Sequence, residues 1–163
     1  MIFVTIGSMF PFDRLIREMD HWAAKTGRND VFAQIGSGSY LPQNMEYARK
    51  LSQTDFSGVM AKAELIVAHA GMGTVITAGQ VGNPLVLLPR IQAWGEHTSD
   101  HQIATANWLR DKPGIFVADT DADLPSTIAS ALDYKDDGSV RFSDVADPAF
   151  TNQIRTAILD FMK

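Results

Sequence analysis

The chain has 163 residues, no cysteine and a net charge of −5, with 45% hydrophobic and 20% charged residues. That suits one soluble globular domain with a full core and excludes disulfides and thiolate metal sites. The acidic balance, with no clustered Lys or Arg, argues against duplex nucleic acid, and no apolar run approaches the ~20 residues a membrane span needs.

Met1–Ile6 is too short, and lacks the basic flank, for a signal peptide; Ile2–Ile6 reads as a first strand ending in Gly7-Ser8. A helix follows over about Phe12–Lys25, with Leu15, Ile16, Met19, Trp22 and Ala23 on one face and His21 and Trp22 as scaffold; Pro11 suits its first turn and Thr26-Gly27 stops it. Val31–Ile35 is a second strand, followed by the small-residue turn Gly36-Ser37-Gly38-Ser39. Asn44–Leu51 fits a strand or a short helix, and Phe56–Ala63 a short helix. Leu65–Ala68 has the continuous apolar character of a strand buried on both faces. The turn His69-Ala70-Gly71-Met72-Gly73-Thr74, a helix over roughly Thr74–Gln80 and a strand at Leu85–Leu88 complete a strand–turn–helix–strand unit. A polar loop, Pro89–Thr98, leads to a helix over Ser99–Arg110 expected to turn Ile103, Ala106 and Leu109 inward. Gly114–Val117 is the last strand, and Leu124–Leu132 is a helix with Asp121 or Asp123 near its start. Asp133–Pro148 reads as a polar loop, and Thr151–Phe161 as a final helix with Ile154, Ile158 and Phe161 on one stripe.

The alternation predicts an α/β fold: one Rossmann-like, three-layer domain with a mostly parallel sheet of five or six strands. Such sheets bind ligands at the carboxyl ends of their strands, where helix N-termini favour anions, so the glycine turn is expected to hold a phosphate or diphosphate. A dinucleotide fingerprint would need glycine or alanine three residues after Gly73. Ile76 stands there, and the next strand offers no acidic residue for a ribose, which disfavours NAD.

The segments His69–Thr74, Gly82-Asn83-Pro84-Leu85-Val86-Leu87-Leu88-Pro89, Gly95-Glu96-His97 and Asp100-His101-Gln102 resemble the carboxyl-terminal domain of family-28 glycosyltransferases. Val4–Ser8 with Phe12-Asp13-Arg14-Leu15-Ile16 matches too, and the resemblance covers about residues 1–130. At this length the chain is similar to the small donor-binding subunits of two-component glycosyltransferases, which act in N-glycan or exopolysaccharide assembly. The resemblance implies the donor-binding half of a GT-B fold. It further implies an inverting transfer of a hexose-type sugar from a UDP-sugar to a lipid-linked acceptor. A membrane-anchored partner chain would supply the acceptor half and recruit this cytoplasmic chain to the inner face of the membrane. No metal or other cofactor is implied.

By the same resemblance His69, Ala70, Gly71, Met72, Gly73 and Thr74 would hold the donor diphosphate. Thr77, Glu96, His97, Asp100, His101 and Gln102 would face its ribose and sugar, and Phe56, Ser57 and Met60 its base, with Met60 and Phe56 equally readable as core. Gly7, Ser8, Gly36 and Ser37 would line the cleft, and Trp94 would be exposed for partner or sugar contact. Thr77 departs from the glutamate that relatives often carry to grip the ribose diol. His101 or Arg90 could meet a uronate carboxylate. The pair His97 and His101, four residues apart, allows a rival metal reading. His97, Asp100 and His101 are the candidate bases, although the partner chain is the expected source of the base. The alternatives are another nucleotide-binding enzyme, or a non-catalytic domain that kept the fold.

Overall fold

The computed structural model describes residues 1–135 and 148–161. Six strands, β1 (Ile2–Thr5), β2 (Val31–Gln34), β3 (Glu46–Ala48), β4 (Leu65–Ala68), β5 (Leu85–Leu87) and β6 (Ile115–Val117), form one sheet. All pairings are parallel, in the order β3-β2-β1-β4-β5-β6. The helices are α1 (Asp13–Thr26), α2 (Gln53–Lys62), α3 (Met72–Val81), α4 (His101–Leu109), α5 (Leu124–Leu132) and α6 (Pro148–Phe161). The fold expected from the sequence is present, and β3 settles the ambiguous Asn44–Leu51 stretch as a short, exposed edge strand. The stretch Asp133–Pro148, expected to be a polar loop, lies mostly outside the described residues, as does the last residue of the predicted 151–162 helix.

Alternate residues of the central strands feed two cores, which is why these strands read as unbroken apolar runs. Ile2, Val4, Leu65, Val67 and Val86 meet α1 and α5 through Leu15, Ile16, Met19, Leu124 and Ile128. Phe3, Ile66, Ala68, Leu85 and Leu87 meet α2, α3 and α4 through Met60, Val75, Ala78, Ala106 and Leu109. Each such large side chain removed from water contributes roughly 1.5–3 kcal/mol. Ile103 is not part of this: it is 37% exposed, and α4 buries its neighbour Gln102 instead, whose Oε1 accepts from the Arg90 amide at 3.2 Å. The α6 stripe forms as a helix, but Ile154, Ile158 and Phe161 all remain exposed.

The order places β1 beside β4. The helix after β1 lies on one face and the helix after β4 on the other, so their loops part at the carboxyl edge and leave a crevice.

One buried carboxylate shapes the periphery. Asp20, 1% exposed on α1, accepts from the amides of Gln43 (3.0 Å) and Asn44 (2.7 Å) and from the Tyr40 hydroxyl (2.8 Å). Burial pushes its pKa up, but these donors outweigh burial and hold it below the ordinary carboxylate value. Its contribution is therefore present above the unfolded pKa and lost as pH falls through the folded one. Asp20→Asn, with one acceptor oxygen for three donors, should cost about 1–3 kcal/mol at neutral pH. Denaturant titration at pH 7 and pH 3 should show the gap narrowing in acid.

Candidate functional site

A cavity of about 470 Å³ fills the crevice between the β1 and β4 loops. That lies within the range of small-molecule sites. Its walls come from Ile6–Phe10 after β1, Gln34 at the end of β2, Leu51–Gln53 and Phe56 at the start of α2, His69, Gly71, Gly73, Thr74 and Thr77 around the start of α3, and Arg90, His97 and Gln102 beyond β5.

The turn is built around the His69 ring. Gly71 is the N-cap of α3, with φ −93° and ψ 127°, a conformation open to any residue. Its glycine is required by space, because a Cβ there would overlap the Nε2 edge of the imidazole. Gly7, at φ +74°, needs glycine for its backbone, and a Cβ would lie 2.7 Å from the same ring. Gly73 differs: a Cβ there would meet nothing within 4 Å. No side chain caps α3, so its first amides are not taken by a cap and the helix presents its positive end beside the cavity.

The His69 Nδ1 is buried and has no hydrogen-bond partner. Burial, then the nearby Arg90 charge, lowers its pKa to about 4, against an opposing influence of the Thr5 backbone. The ring is neutral at pH 7. Because the unfolded histidine protonates near 6.5, the folded protein loses stability as pH falls from about 6.5 toward 4. Nuclear magnetic resonance should find His69 titrating near 4, and His69→Gln should flatten that part of the stability–pH curve.

Two arginines fix the loops above the crevice. Arg14 binds Glu96 through two bonds (2.7 and 2.8 Å), Asp121 (2.5 Å) and the Pro89 carbonyl (2.8 Å), with its guanidinium 4.7 Å over the Trp94 ring. Arg90, 2% exposed, donates to the carbonyls of Ile6, Phe10, Pro11 and Glu96 at 2.6–3.0 Å. At the β2 side, the Thr5 hydroxyl donates to Gln34 Oε1 at 2.6 Å, and the Gln34 amide reaches the Gly7 carbonyl at 3.3 Å.

Of the residues the sequence singled out, the structure brings Gly7, Ser8, Phe56, His69, Gly71, Gly73, Thr74, Thr77, Arg90, His97 and Gln102 to the cavity. It does not bring the others. Ala70 is buried in the core, and Met72 faces outward beside it. Met60 is fully buried in the core, and Ser57 lies on the exposed side of α2. The Gly36–Ser39 loop is drawn away by Asp13, which binds Ser39, and by Arg49, which donates to the Gly36 and Gly38 carbonyls; Gly36 and Ser37 do not line the cavity. Glu96 is spent on Arg14 and on the Ile91 amide (2.9 Å), and Asp100 accepts from the Gln92 amide (2.8 Å). His101 packs edge-on against His97 (4.4 Å between centroids) and contacts the Ser99 hydroxyl, outside the cavity. Arg90 has its terminal nitrogens engaged by backbone carbonyls, which removes the direct contact with a sugar carboxylate.

His97 precedes α4, so it and His101 do not share a helix face. Its Nδ1 accepts from the Thr98 amide at 2.9 Å, which leaves the proton on Nε2 and makes the ring a donor rather than a base. Burial, then His101 and Arg90, lowers its pKa. The Thr77 hydroxyl donates to the Gly73 carbonyl at 2.9 Å, so toward the cavity its oxygen can only accept. Trp94 is 60% exposed and stacks on Arg14. Among the described residues no three of His, Asp or Glu gather to hold a metal ion, and no helix is long and apolar enough to cross a membrane.

Leu51, Ser52 and Gln53 line the cavity without being singled out by the sequence, because a helix expected to begin at Phe56 leaves them in the preceding loop. Ser52 caps that helix, accepting from the Asp55 amide at 3.1 Å, and the pattern Ser52-x-x-Asp55 is a legible start signal. Met9, Phe10 and Gln34 carried no signal beyond their place at strand ends.

The doubly wound parallel sheet carries its cavity at the switch point between β1 and β4, the place where open α/β sheets bind ligands, with an uncapped helix N-terminus on one wall. The chain belongs to the glycosyltransferase family 28 C-terminal domain family, which it matches over residues 1–146. It is 28% identical over 136 residues to the UDP-N-acetylglucosamine transferase subunit ALG13 of Yarrowia lipolytica, covering 75% of this chain and 67% of that protein. It is 32% identical over 79 residues to the UDP-N-acetylglucosamine–N-acetylmuramyl-(pentapeptide) pyrophosphoryl-undecaprenol N-acetylglucosamine transferase of Granulibacter bethesdensis, covering 48% of this chain and 20% of that protein. Among solved structures, the glycosyltransferase of kitacinnamycin superposes with a TM-score of 0.62 at 19% identity, over 82% of this chain and 35% of that one. MurG of Acinetobacter baumannii gives 0.56 at 20%, over 80% and 41%. These two share the fold, and the chain spans well under half of each.

Proposed function

We propose that this chain is the donor-binding half of an inverting glycosyltransferase that moves a hexose-type sugar from a UDP-sugar to a lipid-linked acceptor. The observation that carries this is the cavity at the β1–β4 crevice, with the uncapped start of α3 on one wall and Phe56 on another. A diphosphate would lie against the Met72–Thr74 amides, the Gly71 amide being taken by the His69 carbonyl (2.9 Å), and the uracil would lie toward Phe56. As the glycosidic bond breaks, negative charge grows on the departing UDP, and amides already aimed at it need no reorganisation. No cation is assigned a part in this reading.

The acceptor half falls to a second chain. His97 is placed as a donor, Asp100 and His101 lie outside the cavity, and so a base in line with the breaking bond would come from the partner. That the Yarrowia relative is named as a transferase subunit, and the Granulibacter relative for an undecaprenol-linked acceptor, supports the two-chain, lipid-linked reading. Recruitment to the cytoplasmic face of a membrane by that partner follows from the same reading. Since both names specify N-acetylglucosamine, UDP-N-acetylglucosamine is the first donor to test.

Calorimetry should show UDP and a UDP-sugar binding to the purified chain while NAD does not. Transfer to a lipid-linked acceptor should appear only after the partner is added. Robust transfer by the chain alone, or NAD binding in preference to UDP, would overturn the proposal.

A further inference from the structure

Arg90 is an unusual residue for its place. It is 2% exposed, lines the cavity, and packs its guanidinium 4.6 Å over the Phe12 ring. Its four side-chain partners are all neutral backbone carbonyls, and among the described residues it forms no ion pair. The carboxylate whose charge reaches it, Glu96, is held by Arg14 through two bonds. A buried cation without a carboxylate is costly, and carbonyl dipoles offset only part of that cost. Burial accordingly lowers the Arg90 pKa to about 10, with Glu96 opposing and Arg14 adding to the effect, and the group stays charged at pH 7. The same charge reaches both histidines of the cavity, His69 and His97.

The four carbonyls have a pattern. Ile6, Phe10 and Pro11 belong to the loop after β1, and Glu96 to the loop after β5. One guanidinium therefore ties together two walls of the cavity, while its charge, without an ion-pair partner among the described residues, adjoins the cavity that the start of α3 also lines.

We infer that Arg90 is a positioning residue whose buried, unpaired charge makes this cavity select a diphosphate over an uncharged nucleoside, while its guanidinium fixes the two loops that wall it. This rests on the donor-binding reading for the nucleoside, but its anion part stands apart from it. A merely structural arginine would hold the loops and affect every ligand alike. A charge role falls on the anionic part alone. At an effective dielectric constant of about 20, a charge several ångströms from a phosphate changes affinity by about tenfold or more.

The test measures binding of UDP, uridine and inorganic pyrophosphate to the wild-type chain, Arg90→Gln and Arg90→Lys, each checked for fold by circular dichroism. Arg90→Gln should weaken UDP and pyrophosphate by about tenfold or more and uridine by less than about threefold, whereas Arg90→Lys should stay within about threefold of wild type for pyrophosphate. Parallel losses for UDP and uridine in Arg90→Gln, or unchanged pyrophosphate binding, would overturn the inference. If Arg90→Gln does not fold, Arg90→Lys decides: a folded lysine variant that has lost the preference for UDP over uridine contradicts the charge role. A wild-type chain that binds pyrophosphate through Arg90 but gains nothing from uridine would sink the UDP-sugar reading and leave this inference standing. A chain that binds UDP indifferently to Arg90 would do the reverse, and one that binds neither anion sinks both.

Discussion

Gly71→Ala should abolish measurable UDP binding and destabilise the fold, while Gly73→Ala, two residues on, should weaken UDP and leave the fold as stable or slightly more so. At Gly71 the new methyl group would occupy the space of the His69 ring. Forced overpacking of this kind costs about 1–3 kcal/mol, and either the ring or the α3 N-terminus must shift. At Gly73, within the first turn of α3, nothing lies within 4 Å of the added atom. Alanine there gains up to about 0.5–1 kcal/mol of helix stability. The protein places nothing where a Gly73 side chain would go, so the backbone there stays open to a ligand, and an added methyl group would stand in its way. Thermal melts with and without UDP check both. A Gly73→Ala variant that binds UDP as wild type does would remove the diphosphate from this turn, and a Gly71→Ala variant as stable as wild type would remove the steric argument.

Arg14→Ala should be the most destabilising single change outside the core. Its side chain and that of Glu96 are only 10% and 11% exposed, and removal leaves Glu96 with its charge unpaired. Breaking such a pair costs about 3 kcal/mol, the low end of the range for buried ion pairs. For a domain of this size that corresponds to a fall in Tm of about 6–12 °C. The same change frees Asp121 and the Pro89 carbonyl and uncovers Trp94, so the loop after β5 should loosen. UDP affinity should fall, but less than in Gly71→Ala, because the amides at α3 are untouched. Arg14→Lys can reach one carboxylate but not form the paired bonds, and should recover only part of the loss. A differential-scanning measurement showing Arg14→Ala within about 1 kcal/mol of wild type would refute the clip.

The two Asp-based and His-based acid sensitivities differ in where they act. His69 draws stability down between about 6.5 and 4, whereas Asp20 acts below the ordinary carboxylate range.

The sheet was legible because its central strands are buried on both faces, and unbroken runs such as Leu65–Ala68 have few other readings. The glycine turn was legible because small residues between a strand and a helix leave few geometries. The edge strand β3 was ambiguous because Glu46-Tyr47-Ala48 is half-solvated and gives no periodic signal. On α4 the inward placing of Ala106 and Leu109 is borne out, but hydrophobicity favours Ile103 where the fold instead buries its neighbour Gln102, which serves the Arg90 amide. The polar loop after β5 was the least legible part. The family resemblance implied Glu96 and Asp100 as sugar contacts, but Glu96 pairs with Arg14, 82 positions away, and no local pattern encodes such a partner. The same holds for Arg90, whose carbonyl partners Ile6 and Phe10 lie 84 and 80 positions off.

A crystal structure of the chain with UDP bound tests the central claim most directly. The account predicts the diphosphate against the amides of Met72–Thr74, the uracil toward Phe56, and a β-phosphate open to the side where a second chain would complete the cleft. UDP lodged elsewhere on the surface, or this crevice closed by the protein's own side chains, would contradict it.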